Sequence, residues 1–291
     1  AFSWVRSRAG WAVPDWLVRV TLWGSRALWP FGTDVGGMSV SVIQRKNGVW
    51  QRRYWRMIVK AGDGPFIPAV PARAILRQAG VIAPGAGPAL SVVPLAALVE
   101  GMQDLAVEAE VMEAEIIPLF EGFLGASFDT LPPTVRGLHD VPAPRRWTGQ
   151  AKVTRGGSLW ARLIAGVFGF PPAMDQTPVE VTMTPKDGGE LWERRFGAKR
   201  FWSFLKVKDG SMTERFGPFT FTLGLHAADG QLHFPVVSGR LGPVPFPRLL
   251  LPVSIAREYE ADERFHFDVI LKAPLTGALM VHYQGWLLRD E

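Results

Sequence analysis

Asp-Gly turns divide the second half of this sequence into short segments. The pairs are Asp187-Gly188, Asp209-Gly210 and Asp229-Gly230. Asp-Gly is one of the strongest short signals for a β-hairpin, because both residues tolerate the left-handed backbone of a tight turn. The segments between the turns alternate apolar and polar residues, which indicates strands with one buried face. Residues 117–291 are therefore predicted to form one antiparallel β domain.

The number of consecutive hairpins favours a curled sheet over a flat one. The alternating segments predict about nine strands, and a sheet of this size buries its apolar face by curling. One helix is predicted at residues 158–168, with Ser158 as its N-cap. The predicted fold class is α+β. It consists of an N-terminal α/β region with a β-hairpin, then a curled antiparallel sheet or partial β-barrel with one covering helix.

Residues 1–116 show a different pattern. Residues 3–29 are rich in Trp and Arg, and they predict a helix in two pieces that is broken at Pro14. Such a helix packs on a neighbouring domain or lies on a membrane surface. Asn47-Gly48 predicts a hairpin with arms at 38–45 and 49–59. Further elements are predicted as helices at 71–77, 95–105 and 117–128 and as a strand at 106–113.

The composition narrows the function classes. The sequence has no Cys, which excludes disulfides, thiol catalysis and Cys-ligated zinc and is typical of the cytoplasm. It has 12 Trp and 18 Phe but only 3 Tyr, which favours large apolar cores or cavities. The net charge of +5 comes without a recognition motif, so nucleic acid is not an expected partner. We expect a cytoplasmic protein, with peripheral membrane association as the alternative.

No segment of this chain is predicted to bind a nucleotide cofactor. Gly85-Ala86-Gly87-Pro88 has two of the glycines of a dinucleotide loop, but it lacks the third. No serine lies in a Gly-x-Ser-x-Gly elbow either. Any cofactor chemistry is therefore expected to come from a part of the protein upstream of Ala1, which we expect because the chain does not start with Met.

Two histidines are predicted to face each other across one hairpin. If Asp229-Gly230 is a two-residue loop, then His226 lies opposite His233. Two imidazoles placed in this way can hold a metal ion or respond to pH. No third ligand is apparent in the sequence, so the alternative is a pair of exposed histidines at the rim of the sheet.

The last hairpin brings a second polar group together. With a loop near Pro274–Gly277, Asp268 pairs with His282, and His266 pairs with Gln284. A carboxylate beside an imidazole suits a general base, so His266, Asp268 and His282 are the catalytic candidates. Arg264 and Gln284 on the same face are ligand-binding candidates. The alternative is a solvated outer face, since the intervening residues are apolar, and a one-residue slip would separate the group.

The helix at residues 158–168 is strongly apolar, with Arg162 as its only charge. It is predicted to cap the open end of the curled sheet. The alternatives are a lid over an apolar cavity and an element that contacts a membrane. If the helix is a lid over such a cavity, Trp160 and Phe168 are further ligand-binding candidates.

Two resemblances to known families add to this interpretation. The stretches Phe31–Met38 and Ala61–Ala72, within roughly residues 1–115, resemble the C-terminal half of saccharopine dehydrogenase-like oxidoreductases. That resemblance implies a Rossmann domain upstream of Ala1, in cis, which binds NAD(P). This chain alone is then expected not to bind NAD(P).

The second resemblance covers about residues 118–291. Its motifs include Leu131-Pro132-Pro133, Leu138-His139-Asp140, Arg146-Trp147-Thr148-Gly149 and Tyr283-Gln284-Gly285-Trp286-Leu287. They resemble the bacterial domain of unknown function 4166, whose members are also fused behind saccharopine dehydrogenase-like regions. The family has no established catalytic residues, so the resemblance assigns none here.

The expected function is a fragment of an NAD(P)-linked oxidoreductase, joined to a β domain that binds an apolar or amphipathic small molecule. Such binding requires an interior cavity of roughly 300 Å³ or more, and a domain without one would contradict this expectation. The alternative is a non-catalytic interaction or membrane-surface module that uses residues 3–29 and 158–168. A third hypothesis is hydrolytic or isomerising chemistry at His266, Asp268 and His282.

Overall fold

The computed structural model describes residues 14–28, 32–78 and 92–290. These residues form two compact units. The first contains the described residues up to 42 together with 53–113, and the second contains 43–52 together with the residues from 114 onward. The tip of the first hairpin therefore belongs with the second unit. No single boundary along the sequence separates the two units.

The first unit is built around a three-stranded antiparallel sheet in the order β1-β2-β3. Its strands are β1 (Gly36–Lys46), β2 (Val49–Val59) and β3 (Val107–Ile116), and its helices are α1 (Asp15–Leu28), α2 (Val70–Arg77) and α3 (Leu95–Glu100), with a 3₁₀ helix at Gly64–Ala69. Asn47 and Gly48 have φ values of 52° and 82°, which confirms the predicted hairpin turn. The predicted helix piece before Pro14 lies outside the described residues, as do Gly85–Pro88.

Charge complementarity explains why basic β2 pairs with acidic β3. Arg53 pairs with Glu113, Arg56 with Glu110, and Lys60 with Glu108, and all six side chains are about half exposed. Exposed pairs of this kind contribute at most about 1 kcal/mol each. They therefore set the register of the two strands more than they stabilise the unit.

The second unit contains a single sheet of 13 strands. Its order is β10-β11-β14-β15-β16-β4-β5-β6-β7-β8-β9-β12-β13. The strands are β4 (Arg145–Arg155), β5 (Met174–Lys186), β6 (Gly189–Phe196), β7 (Lys199–Lys208), β8 (Ser211–Phe216), β9 (Phe219–Leu223), β10 (His226–Ala228), β11 (Gln231–His233), β12 (Val236–Leu241), β13 (Val244–Pro245), β14 (Val253–Ala261), β15 (Arg264–Lys272) and β16 (Leu279–Arg289). Strands as short as β10, β11 and β13 raise the number above the predicted nine.

The connections of the sheet make it curl. β4, the first strand of the domain, pairs with β16, the last, in the middle of the sheet. Short links from β9 to β10 and from β11 to β12 draw its two outer parts together, and the Gly224 amide donates to the Pro235 carbonyl at 2.8 Å. The sheet stays open, with β10 and β13 at its edges. The predicted α+β class with a curled antiparallel sheet is confirmed.

Three helices and two 3₁₀ helices accompany this sheet. The helices are α4 (Leu119–Leu124), α5 (Pro133–His139) and α6 (Leu159–Val167), and the 3₁₀ helices are Gly125–Thr130 and Arg248–Leu250. α6 begins as predicted, because the Ser158 hydroxyl accepts from the Ala161 amide. α5 was not predicted. Pro133 is its first residue, where a missing N–H is tolerated.

The inner face of the sheet and the three helices share one core. The alternation in β15 holds, since Phe265 and Phe267 are buried in this core while Arg264 is exposed. Phe120 of α4 and Leu138 of α5 are fully buried against it. Among the described residues, no helix combines the length and the apolar character that a membrane crossing requires.

Candidate ligand-binding site

A cavity of about 140 Å³ lies inside the curled sheet, and most of its wall is apolar. Ala256 of β14 pairs with Val269 of β15, and Val269 pairs in turn with Tyr283 of β16. All three line the cavity. The small side chains of Ala256 and Val269 leave this space open. The volume is below the roughly 300 Å³ set for a drug-sized ligand, but it is similar to cavities of about 150 Å³ that accept one benzene ring.

One polar cluster on the cavity wall is centred on Arg194. Its guanidinium donates to the Ser203 hydroxyl at 2.7 Å and to Oε1 of Glu214 at 3.3 Å, and the Ser203 hydroxyl donates to the same oxygen at 2.6 Å. The guanidinium also lies 4.8 Å from the centroid of the Trp192 ring. These contacts hold a charged pair in fixed geometry beside the aromatic wall.

A second polar pair joins α5 to the sheet. Nε2 of His139 lies 2.5 Å from Oε2 of Glu258, and Glu258 lines the cavity. The imidazole is fully buried, with the ring of Phe120 at 3.8 Å and that of Trp192 at 5.6 Å. Its Nδ1 has no hydrogen-bond partner among the described residues.

Glu190 is a buried carboxyl group in the neighbourhood of His139. Burial raises the pKa of Glu190, while the Trp192 indole N–H, which donates at 2.8 Å, and the nearby His139 act in the opposite direction. The Glu190 side chain is not part of the cavity wall. It supports the orientation of Trp192, whose ring does form part of that wall.

Tyr283 contributes a phenol to the cavity wall. Burial raises the pKa of Tyr283 to about 12, and the charges of Arg194, Glu214 and Glu258 also act on it. The hydroxyl is therefore neutral at physiological pH, and the wall that carries it also contains Arg194, Glu214 and Glu258. Tyr283 contacts Phe196 edge to face at 5.5 Å, which fixes the orientation of its ring.

The family comparison concerns this same part of the chain. The profile of the domain of unknown function DUF4166 matches residues 131–287, which is more than half of the sequence. The chain belongs to the DUF4166 family. The match contains every cavity residue named above, but it begins after residues 1–115 and does not bear on their resemblance to saccharopine dehydrogenase-like proteins.

Other comparisons add no function to the DUF4166 domain. No curated protein matches the chain. A DUF3598 protein of unknown function from Nostoc punctiforme aligns with 11% identity and a TM-score of 0.36, over 90% of this chain and 68% of its own. Rv2717c from M. tuberculosis aligns with 13% identity and a TM-score of 0.31, over 55% of this chain and 99% of its own. These likenesses are too low to support an argument.

The catalytic candidates lie on the outer face of the DUF4166 domain, away from the cavity. Asp268 pairs with Gln284 and His266 with Trp286, so the predicted register was wrong by two residues. A register difference of two residues leaves each side chain on its predicted face of the sheet. Oδ1 of Asp268 therefore still lies 2.8 Å from Nε2 of His282. Arg257 donates to Oδ2 of Asp268 at 3.1 Å. Arg257, Asp268 and His282 thus form a hydrogen-bonded network on the outer face.

The four ligand-binding candidates are divided between the two faces of the sheet. Phe168, directly after α6, lines the cavity. Arg264 lies over the Trp286 ring at 4.7 Å, and Gln284 lines a shallow outer groove. Trp160 donates its indole N–H to the Pro274 carbonyl at 3.1 Å. Only Phe168 therefore remains a candidate for contact with a molecule in the cavity.

The two histidines of the β10–β11 hairpin are paired as predicted. His226 lies opposite His233, and their ring centroids are 5.1 Å apart and stacked. Burial lowers the pKa of His233, and the charge of His226 lowers it further. Within the described part of the chain, no group of three His, Cys, Asp or Glu side chains has the arrangement of a metal site.

The polar residues of the cavity were not singled out from the sequence. His139 appeared only within a family motif that assigned it no role. Arg194 and Glu214 are charged residues in alternating strands, where they read as outward-facing. A charged residue at an inward position of the alternation is the signal that identifies both.

Proposed function

We propose that the DUF4166 domain binds an apolar small molecule, about the size of one aromatic ring, in the cavity of the curled sheet. The observation that supports this proposal is an unfilled space of about 140 Å³ in a core otherwise packed with Phe and Trp side chains. Larger side chains at Ala256 or Val269 would fill this space, so its retention favours occupation by a ligand.

Filling the cavity is expected to abolish binding. Val269→Phe places a ring in the space, so we expect at least a tenfold loss of affinity for para-xylene, measured by calorimetry with the full chain. The matched control is Ile270→Phe, which adds the same ring at the next position of β15, outside the cavity lining. Unchanged para-xylene binding by a folded Val269→Phe variant would contradict the proposal.

The association with a reductase is a separate part of the proposal. It is supported by the resemblance of residues 1–115 to saccharopine dehydrogenase-like proteins, and it has the DUF4166 domain present its ligand to an upstream NAD(P)-binding domain in cis. A strand followed by Gly-x-Gly-x-x-Gly in the protein sequence before Ala1 would support this arrangement.

An exposed stripe on α6 favours a second candidate function at a membrane surface. Leu159, Leu163 and Val167 are more than 60% exposed and lie on one side of the helix, because their spacing is four residues. Arg162 and Lys199 line a groove beside the same helix. Apolar side chains flanked by cations are suited to contact with anionic lipid headgroups.

Leu163→Glu is the test of membrane contact. We expect the full chain to co-sediment with vesicles that contain phosphatidylserine at low salt, and the variant to lose most of this binding, since the new charge faces the lipid. Leu249→Glu, an equally exposed position outside this helix, is the control. Failure of the unaltered protein to bind these vesicles would remove the second candidate.

A further inference from the structure

The cavity wall carries hydrogen-bonding groups that the fold leaves unused. Oε1 of Glu214 accepts from Ser203 and Arg194, while Oε2 of Glu214 and the hydroxyl of Tyr283 have no hydrogen-bond partner in the described part of the chain. Both side chains line the cavity, and the charge of Glu214 acts on Tyr283. Glu214 and Tyr283 therefore bring a free carboxylate oxygen and a free hydroxyl to the wall of the same small space.

The charged groups around the cavity already have partners. Arg194 is bound to Glu214, and Glu258 is bound to His139. Arg257 also borders the cavity, but its guanidinium pairs with Asp268 on the outer face. An ionic ligand would find no free opposite charge, and burying an unpaired ion costs far more than burying a hydrogen-bonded neutral group.

We propose that the cavity selects a neutral one-ring molecule with a single hydroxyl group, such as a phenol or a cyclic alcohol. The ligand hydroxyl donates to Oε2 of Glu214 and accepts from the hydroxyl of Tyr283, while the ring contacts the apolar wall. This inference rests on the proposed binding function and adds to it the chemical class of the ligand.

Three compounds with the same ring distinguish the possible ligand classes. para-Cresol carries a hydroxyl, para-xylene replaces it with a methyl group of similar size, and 4-methylbenzoate carries a negative charge. We expect calorimetry with the full chain to show that para-cresol binds at least as tightly as para-xylene, although it loses more hydration. 4-Methylbenzoate is expected to bind at least tenfold more weakly than para-cresol.

Tyr283→Phe tests the hydrogen bond without changing the shape of the wall. We expect this variant to bind para-cresol about tenfold more weakly and para-xylene within twofold of the unaltered protein. Tyr259→Phe is the matched control, because Tyr259 stacks on His266 outside the cavity. It is expected to change neither affinity.

The outcomes separate this inference from the proposed function. Binding of para-xylene with weaker binding of para-cresol, or a preference for 4-methylbenzoate, would overturn the hydroxyl selection and leave the apolar site intact. Equal loss of para-cresol and para-xylene in Tyr283→Phe would also overturn it, because the ring and not the hydroxyl would then be responsible. No binding of any of the three compounds would overturn both proposals.

Discussion

Replacing Glu258 with alanine is expected to lower the free energy of unfolding by about 1–3 kcal/mol, because it leaves a buried polar partner without compensation. That partner is His139, which is fully buried and has only Glu258 as a hydrogen-bond partner in the described structure. The loss also detaches the C-terminal end of α5 from β14. Urea denaturation followed by Trp fluorescence measures the change.

Two further variants show whether the pair itself is responsible. Glu260→Ala removes the carboxylate that accepts from the amide and hydroxyl of Thr134, at the other end of α5. A much smaller loss is expected there, since Glu260 is partly exposed. The double replacement His139→Leu with Glu258→Leu is expected to be more stable than either single replacement. If the double variant loses as much free energy of unfolding as the two single variants together, the effect comes from packing and not from the polar pair.

The faces of the strands were predictable, but their register was less so. Alternation in β15 identified Phe265 and Phe267 as buried, because a period of two fixes which side chains share a face. Register depends on the turn, and an irregularity between Leu271 and Lys272 shifts the β15–β16 pairing. Local propensity does not encode such a bulge. The shift of two residues preserved the face, so Asp268 and His282 still meet.

The cavity could not be predicted for a different reason. It depends on the pairing of β4 with β16 across a long sequence separation, and on where small side chains such as Ala256 and Val269 fall in neighbouring strands. Its polar wall depends in addition on α5, which begins at the second of two consecutive prolines. A proline pair is compatible with the end of one helix and the start of the next, and only packing against β14 decides between them.

The seam between β4 and β16 contains a glycine position that has no room for a side chain. An alanine Cβ at Gly149 would lie 1.9 Å from the carbonyl oxygen of Trp286 and 3.0 Å from Cα of Leu287. These are backbone atoms of the neighbouring strand, so a rotamer change cannot relieve the overlap. We expect Gly149→Ala to lower the free energy of unfolding by about 3 kcal/mol or more, measured by urea denaturation.

Gly166 provides the matched control for this effect. It lies in α6, and a Cβ there would have no atom within 4 Å, so Gly166→Ala is expected to stabilise the protein by about 0.5–1 kcal/mol through helix propensity. Opposite signs from the same substitution would show that strand proximity, and not glycine content, controls stability at the seam. A loss below about 1 kcal/mol for Gly149→Ala would contradict the close approach of β4 and β16. These strands are the first and last of the domain, so their contact joins the two ends of the domain in the middle of the sheet.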